Sequence, residues 1–396
     1  MSLRLARLPF VLLCALPLPV HAVQVCDLDD RAVNPSDGSS TAGKTGTMRC
    51  REGDGGPVMR EQELQHGVFM GVARYYRGGV LEREFHVNER GNHDGRSRTF
   101  AATPGPTNAV LRDETFRDGT VVGLARSWHP QGALRSIGFH ADDGHEEARA
   151  EFTREGRLAD LHCATKPLLA PDADDAKWCG HAGPATVTLY ASNGAPHGRV
   201  RHDHGVRTGS ETLWDNGKVR DQQIVGADGG VDRSYSAAGV KLRETTWVAV
   251  AGESRPRRII VFDQEFHDSG SLVRERRWRP TARGRELELE QRWYLNGQPR
   301  EREDYVAVDG RTERRETGYH DNGRKAFEGT WLVDGRGDDT RPLGVHKTYD
   351  SEGRLRAERH HDARGHIARE REFDEAGRTT RDNEVFEDGS RKAFSR

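Results

Sequence analysis

The sequence predicts an all-β protein: an elongated, single-layer antiparallel β-meander, or solenoid, assembled from hairpin repeats. Three observations predict it. A phrase of an aromatic residue, three further residues and a glycine recurs along the chain; turn-forming dipeptides punctuate it; and between turns the side chains alternate with period two.

The phrase runs from Tyr75 to Gly79, Trp128 to Gly132, Phe152 to Gly156, Tyr190 to Gly194, Trp293 to Gly297, Tyr319 to Gly323 and Tyr349 to Gly353, with further copies ending at Gly239, Gly270 and Gly377. In the copy holding Trp214 and Gly217, Leu213 takes the aromatic position. Successive phrase glycines in the regular stretches lie 22 to 30 residues apart, so the unit is one strand, a tight turn and a returning strand. A helix would tolerate the pattern badly, because each interior glycine costs about 0.8–1 kcal/mol relative to alanine. Asn193-Gly194, Asn216-Gly217, Asn296-Gly297, Asn322-Gly323, Asp118-Gly119, Asp388-Gly389 and Gly78-Gly79 are expected to form two-residue hairpin turns with positive φ. Alternation is clearest from Glu286 to Leu295, where Leu287, Leu289, Trp293 and Leu295 should share one face and the charges a solvated opposite face.

In chain order, residues 1–22 read as a secretory signal peptide. Arg4 and Arg7 precede an apolar run from Leu8 to Val20, and Val20-His21-Ala22 supplies the cleavage site. A lipidation reading centred on Cys14 is disfavoured, because Val11-Leu12-Leu13 lacks small residues. Residues 23–60 are expected to form a disulfide-bearing loop segment, 61–160 a first block of hairpin repeats, 161–184 a Cys/Pro/Asp-rich insertion, and 185–396 a second block. Beyond the signal, Cys26, Cys50, Cys163 and Cys179 form an even set in an oxidising compartment. Of the three possible pairings the local ones, Cys26 with Cys50 and Cys163 with Cys179, are favoured because each brackets a segment lacking the repeat. Long separations and the export signal argue against zinc. The periplasm is the expected location.

Leu213-Trp214-Asp215-Asn216-Gly217-Lys218-Val219-Arg220 and Tyr319-His320-Asp321-Asn322-Gly323-Arg324-Lys325 resemble the bacterial MORN-repeat variant family. The resemblance covers roughly residues 61 to 396 and implies the hairpin architecture. It also implies a function by protein binding, since such proteins are often labelled antitoxins and occur beside secreted lipase or phospholipase effectors, including those of type VI secretion. The stretch from Tyr349 to Arg378 is similar to the tyrosine-aspartate repeats of large bacterial toxin shells, which need far longer chains; shared hairpin physics accounts for that likeness.

Composition narrows the function classes. Hydrophobic residues make up 34% and charged ones 31%, with 45 glycines, which suits a thin sheet better than a thick core. Removal of Arg4 and Arg7 with the signal leaves 59 basic against 63 acidic residues, and no basic block points to nucleic acid. Gly38-Ser39-Ser40-Thr41-Ala42-Gly43-Lys44-Thr45 matches the phosphate-loop pattern, but lacks the preceding buried strand and following helix which that chemistry needs. His202-Asp203-His204 and His360-His361-Asp362 with His366 are candidate chelators, although 18 histidines in a strand-rich chain make chance clusters common and His361 occupies a repeat aromatic position. No Gly-x-Ser-x-Gly elbow is present. The expectation is a non-catalytic protein without cofactor or metal, whose partner is a secreted toxin or effector. A membrane-associated scaffold inserting Trp247, Trp278 and Trp331 is the second reading, and an envelope hydrolase the third.

Overall fold

A computed structural model describes residues 24–102, 109–250, 257–282, 284–334 and 339–394. The predicted signal peptide at 1–22 lies outside them. Among the described residues, regular structure is almost entirely strand, with two four-residue helices at Gly38–Thr41 and Asp175–Trp178. The strands form two open antiparallel meanders of 12 and 17 strands, neither closed into a barrel. In the second, running from Ala185–Tyr190 to Arg391–Ala393, every strand pairs with its sequence neighbours. The first departs from that order once: Gln24–Leu28 lies between Arg31–Val33 and Gly46–Glu52. The chain divides into two compact units, Met1–Gly156 and Arg157–Arg396.

The turns follow two chemistries, which corrects the expectation that all are two-residue turns. At Asp118-Gly119 and Gly78-Gly79 both residues have positive φ, as two-residue turns require. At Asn216-Gly217 only the glycine does (φ 78°); Gly217 N–H donates to the Trp214 carbonyl at 2.8 Å, and Trp214 N–H to that of Lys218 at 2.8 Å. This is the three-residue loop with a glycine bulge, repeated at Asn193-Gly194, Asn296-Gly297, Asn322-Gly323 and Asp388-Gly389. The register then shifts again beside the phrase residue itself, as at Leu213, Tyr235, Trp293, Tyr319 and Tyr349. Each shift swaps the faces of the strand's side chains. Leu289 keeps to the expected alternation with Trp293, but the shift between Arg277 and Trp278 puts Leu287 on the other face, and Leu295 falls inside a turn and is 61% exposed.

The first unit corrects the reading of residues 23–60 as a loop segment. They hold three strands and the start of a fourth, Val58–Gln65, and Cys26 is the register partner of Cys50, to which it is disulfide-bonded. Cys26, Leu28, Val33, Met48, Cys50 and Leu64 pack into one core cluster with Phe69 against it. The Cys163–Cys179 bond is formed as expected. Its segment clamps the His204-Gly205 turn: His204 N–H donates to the Gly180 carbonyl at 3.0 Å and Gly205 N–H to that of Cys179 at 2.8 Å. Rings meet in succession across strands in both units, Tyr75, Phe85, His93 and Phe116 in the first, and Trp331, His346 and His361 in the second, where Phe327 also packs against Trp331 on its own strand. Such pairs contribute about 0.5–1.5 kcal/mol each beyond their buried area.

Candidate functional site

The sheet surfaces carry the candidate site, and their composition follows from register. In the first unit Asp27, Arg49, Glu61, Arg74, Glu84, Arg98, Asp113 and Arg126 are successive cross-strand partners, one per strand, with charge alternating at every step. Arg49 lies 3.2 Å from Glu61, and Arg74 2.8 Å from Glu84. In the second unit the corresponding row begins Arg199, Glu211, Gln222, Arg233, Glu244, Gln264 and Glu275, and continues to Glu328, Lys347, Glu358, Arg371 and Asp382. Opposite charges facing across antiparallel strands stabilise by roughly 0.2–1 kcal/mol per pair relative to alanine.

These rows are not the fully solvated face anticipated from composition. Glu211 and Glu275 within the row are buried, as are Asp263, Glu303 and Glu370 in the positions beside it. Burial alone would raise the Glu211 pKa; bonds from Gln222 and Arg199 and the charge of Arg201 outweigh it and hold the carboxyl below its ordinary range. Asp263 behaves likewise, accepting from Arg243 at 2.7 Å, Arg276 at 2.7 Å and Thr245 at 2.9 Å. Glu316 departs in the other direction. Burial, then the nearby Glu301 and Glu303, push it up to about 7 despite Arg314. Carboxylate oxygens of Glu301, Glu303 and Glu316 lie within 4.8 Å of one another, the convergence a metal would need, but Arg292 and Arg314 already pair with them.

The repeat residues build a second ladder, along the turns. Asn216 Nδ2 donates to the Ala237 carbonyl at 2.8 Å, Asn296 to Asp321 at 2.7 Å and Asn322 to Ser351 at 2.7 Å, each reaching the next turn on that side of the sheet. Their Oδ1 atoms accept from the backbone two residues on. The residue after the phrase's first position reinforces the link: Trp214 Nε1 donates to the Tyr235 carbonyl and Tyr294 Oη to that of Tyr319. Sequence reasoning missed this use of asparagine; its signal was the regular recurrence of Asn before the phrase glycine, where aspartate would supply no donor. Among the other phrase aromatics, Tyr75, Tyr190, Tyr349 and Trp214 lie beneath Arg60, Arg157, Lys325 and Arg220, while Trp128, Phe152, Trp293 and Tyr319 are half-buried on their strands.

Other flagged residues do not converge on chemistry. His202 is buried, whereas His204 sits in the turn bonded to Asp203. His360 and His361 point to opposite faces of one strand, His361 stacks on His346, and Asp362 serves the turn by accepting from Arg364 and His366 N–H. The phosphate-loop stretch contains a single helical turn whose N-terminus is already capped by the Asp37 carboxylate on Ser39 N–H, and a strand, Gly46–Glu52, follows it. Of the tryptophans that the scaffold reading would insert into a membrane, Trp247 is buried and Trp278 and Trp331 are half-buried: Arg258 lies over Trp247, Arg276 and Arg285 over Trp278, and Arg314 over Trp331. Among the described residues, three open troughs measure about 510 to 670 Å3, one lined by Ser210, Gln223, Asp232 and Thr245, another by Ser127 and Ser136.

No protein-family model and no curated protein matches the chain. Among solved structures it matches the crystal structure of TcdB2-TccC3-Cdc42 at 8% identity and a TM-score of 0.15, covering 88% of this chain and 23% of that one. It also matches the Photorhabdus luminescens Tc holotoxin pore with the TccC3-D651A mutation at 7% identity and a TM-score of 0.15, covering 93% of this chain and 24% of that one. The chain thus spans about a quarter of the chains it matches, at TM-scores too low to carry an argument.

Proposed function

We propose that this is an exported binding protein, a periplasmic immunity protein that neutralises a co-encoded secreted lipase- or phospholipase-type effector. The observation that carries the binding part is the pair of open meanders: side chains on broad strand surfaces are locked by cross-strand charge rows and turn ladders, so a large contact surface is preorganised. The two disulfides suit an oxidising compartment, and no described helix is long and apolar enough to cross a membrane. The effector class rests on the resemblance to MORN-repeat variants. The test is co-purification of the chain with the product of the adjacent gene, together with deletion in the producing cell. A tight complex and loss of self-protection are expected; a chain that binds no co-encoded effector ends the proposal.

A further inference from the structure

The second unit contains a break in its ladder. Strands Gly284–Trp293 and Pro299–Val308 pair only from Trp293–Pro299 to Leu289–Asp304. Beyond that point each still pairs on its far side, Gly284–Leu287 with Trp278–Thr281 and Tyr305–Val308 with Arg311–Arg314. Two-stranded ribbons twist more strongly than sheets, so the hairpin tips part, leaving an open cleft of about 670 Å3 between them.

Register fixes which backbone groups face this cleft. Val308 and Arg311 flank the two-residue Asp309-Gly310 turn and therefore exchange both ladder bonds. Bonded and non-bonded pairs alternate from there. Ala307–Thr312 and Tyr305–Arg314 are non-bonded pairs, so the N–H and C=O of Ala307 and Tyr305 turn away from their partner strand and into the cleft. On the opposite wall Arg285 pairs with Pro280, which has no N–H to exchange. Arg285, and Leu287 two residues on, therefore turn their backbone groups toward the cleft as well. The neighbouring break, where the pairing of Arg257–Phe266 with Leu272–Thr281 stops at Phe262–Arg277, is blunted by that same Pro280. The cleft between Leu287 and Ala307 has no such guard.

Its side chains state the rest of the chemistry. Leu287, Ala307 and Val333 supply apolar lining. Arg279 is neutralised by Glu286 at 2.7 Å, but Arg311 has no carboxylate partner among the described residues and Arg285 only overlies Trp278. We infer that the cleft takes an extended segment of a protein partner as an added strand, one bearing a carboxylate flanked by apolar side chains. Main-chain bonds to Tyr305, Ala307, Leu287 and Arg285 supply affinity, and Arg311, which register places on the face opposite Ala307 and Leu287, selects the acidic side chain. The inference rests on the binding function proposed above and names its mode.

The experiment pans a phage library of random dodecapeptides against the full chain and against two variants. Ala307→Pro removes an N–H that the Val308–Arg311 ladder does not use, and Arg311→Glu reverses a charge without touching the backbone. Enriched peptides are expected to alternate apolar residues with Asp or Glu, to bind each variant about tenfold more weakly, and to slow amide exchange at Tyr305 and Ala307. No such enrichment, or peptides that bind both variants as tightly as the parent, overturns the inference. An effector that binds the parent and both variants equally sinks strand addition and leaves the proposed function standing. Peptides that bind as expected while no effector binds sink the immunity reading alone.

Discussion

The side-chain amide of Asn322 donates to the Ser351 carbonyl, 2.7 Å away and one repeat further along, while its own oxygen accepts from Arg324 N–H at 3.0 Å. One side chain thus closes its own turn and fastens it to the next. Asn322→Asp keeps the acceptor and loses the donor, placing a carboxylate against a carbonyl. It is expected to lower stability by about 1 kcal/mol, the net worth of one such bond, and Asn322→Gly by slightly more. Urea midpoints of the three proteins measure this; equal midpoints would mean that the turn-to-turn bond contributes nothing.

Glycines of the two turn types should respond differently to alanine. Gly217 has positive φ, but a methyl there meets nothing within 4 Å, so Gly217→Ala costs only the backbone term of about 1–2 kcal/mol. Gly205 has the same kind of φ, and its Cβ would lie 2.1 Å from the Ala164 carbonyl oxygen in the disulfide-closed segment. Gly205→Ala is expected to lose roughly 1–3 kcal/mol more through overpacking. Thermal melts of the two variants rank them; a Gly205 variant as stable as the Gly217 variant would contradict the clamp.

Asp263 is 1% exposed and its pKa is depressed: burial opposes ionisation, and bonds from Arg243, Arg276 and Thr245 overcome it. A carboxyl whose folded pKa lies below its unfolded value adds stability above the unfolded value, near 3.9, and loses it as pH falls through the folded one. Asp263→Asn should therefore cost about 2–3 kcal/mol at neutral pH, softened by the half-exposed Arg243, and flatten the acid limb of the stability curve below about pH 4. Denaturation at several pH values reads both; an unchanged acid limb would show that Asp263 is not what titrates.

The hairpin rhythm was legible because glycine spacing encodes turns directly, and both disulfides followed from cysteines bracketing segments without the repeat. The reading failed at residues 24–60, where strands Gln24–Leu28 and Gly46–Glu52 carry no phrase. Turn type was not legible at Asn216-Gly217, because that dipeptide serves both a two-residue turn and a bulged three-residue one. The charge rows were hidden for a related reason. The register slips beside each phrase residue, so Glu211, Gln222 and Arg233 become neighbours through offsets that period-two counting does not carry. The strand-edge cleft depends on where twist ends a ladder, a property of paired ribbons that no single strand displays.

Glu316 offers a titration of the opposite sign to Asp263. Burial, and the adjacent Glu301 and Glu303, raise its pKa to about 7, so near pH 6 the folded chain holds a proton that the unfolded chain has released. A group with a raised folded pKa contributes fully below its unfolded value and loses that contribution as pH rises through the folded one. Stability should therefore decline between about pH 4.5 and 7 and level off above that, with the proton held among carboxylates whose oxygens converge within 4.8 Å. Glu316→Gln keeps the shape and removes the charge, so it is expected to be more stable than the parent at pH 8 and to flatten that decline. Glu301→Gln removes one of the neighbours that raise the Glu316 pKa and should end the decline at lower pH. Denaturation midpoints of the three proteins at pH 5, 6.5 and 8 decide the matter, and a parent whose midpoint stays level across that range would show that Glu316 ionises in the ordinary carboxylate range.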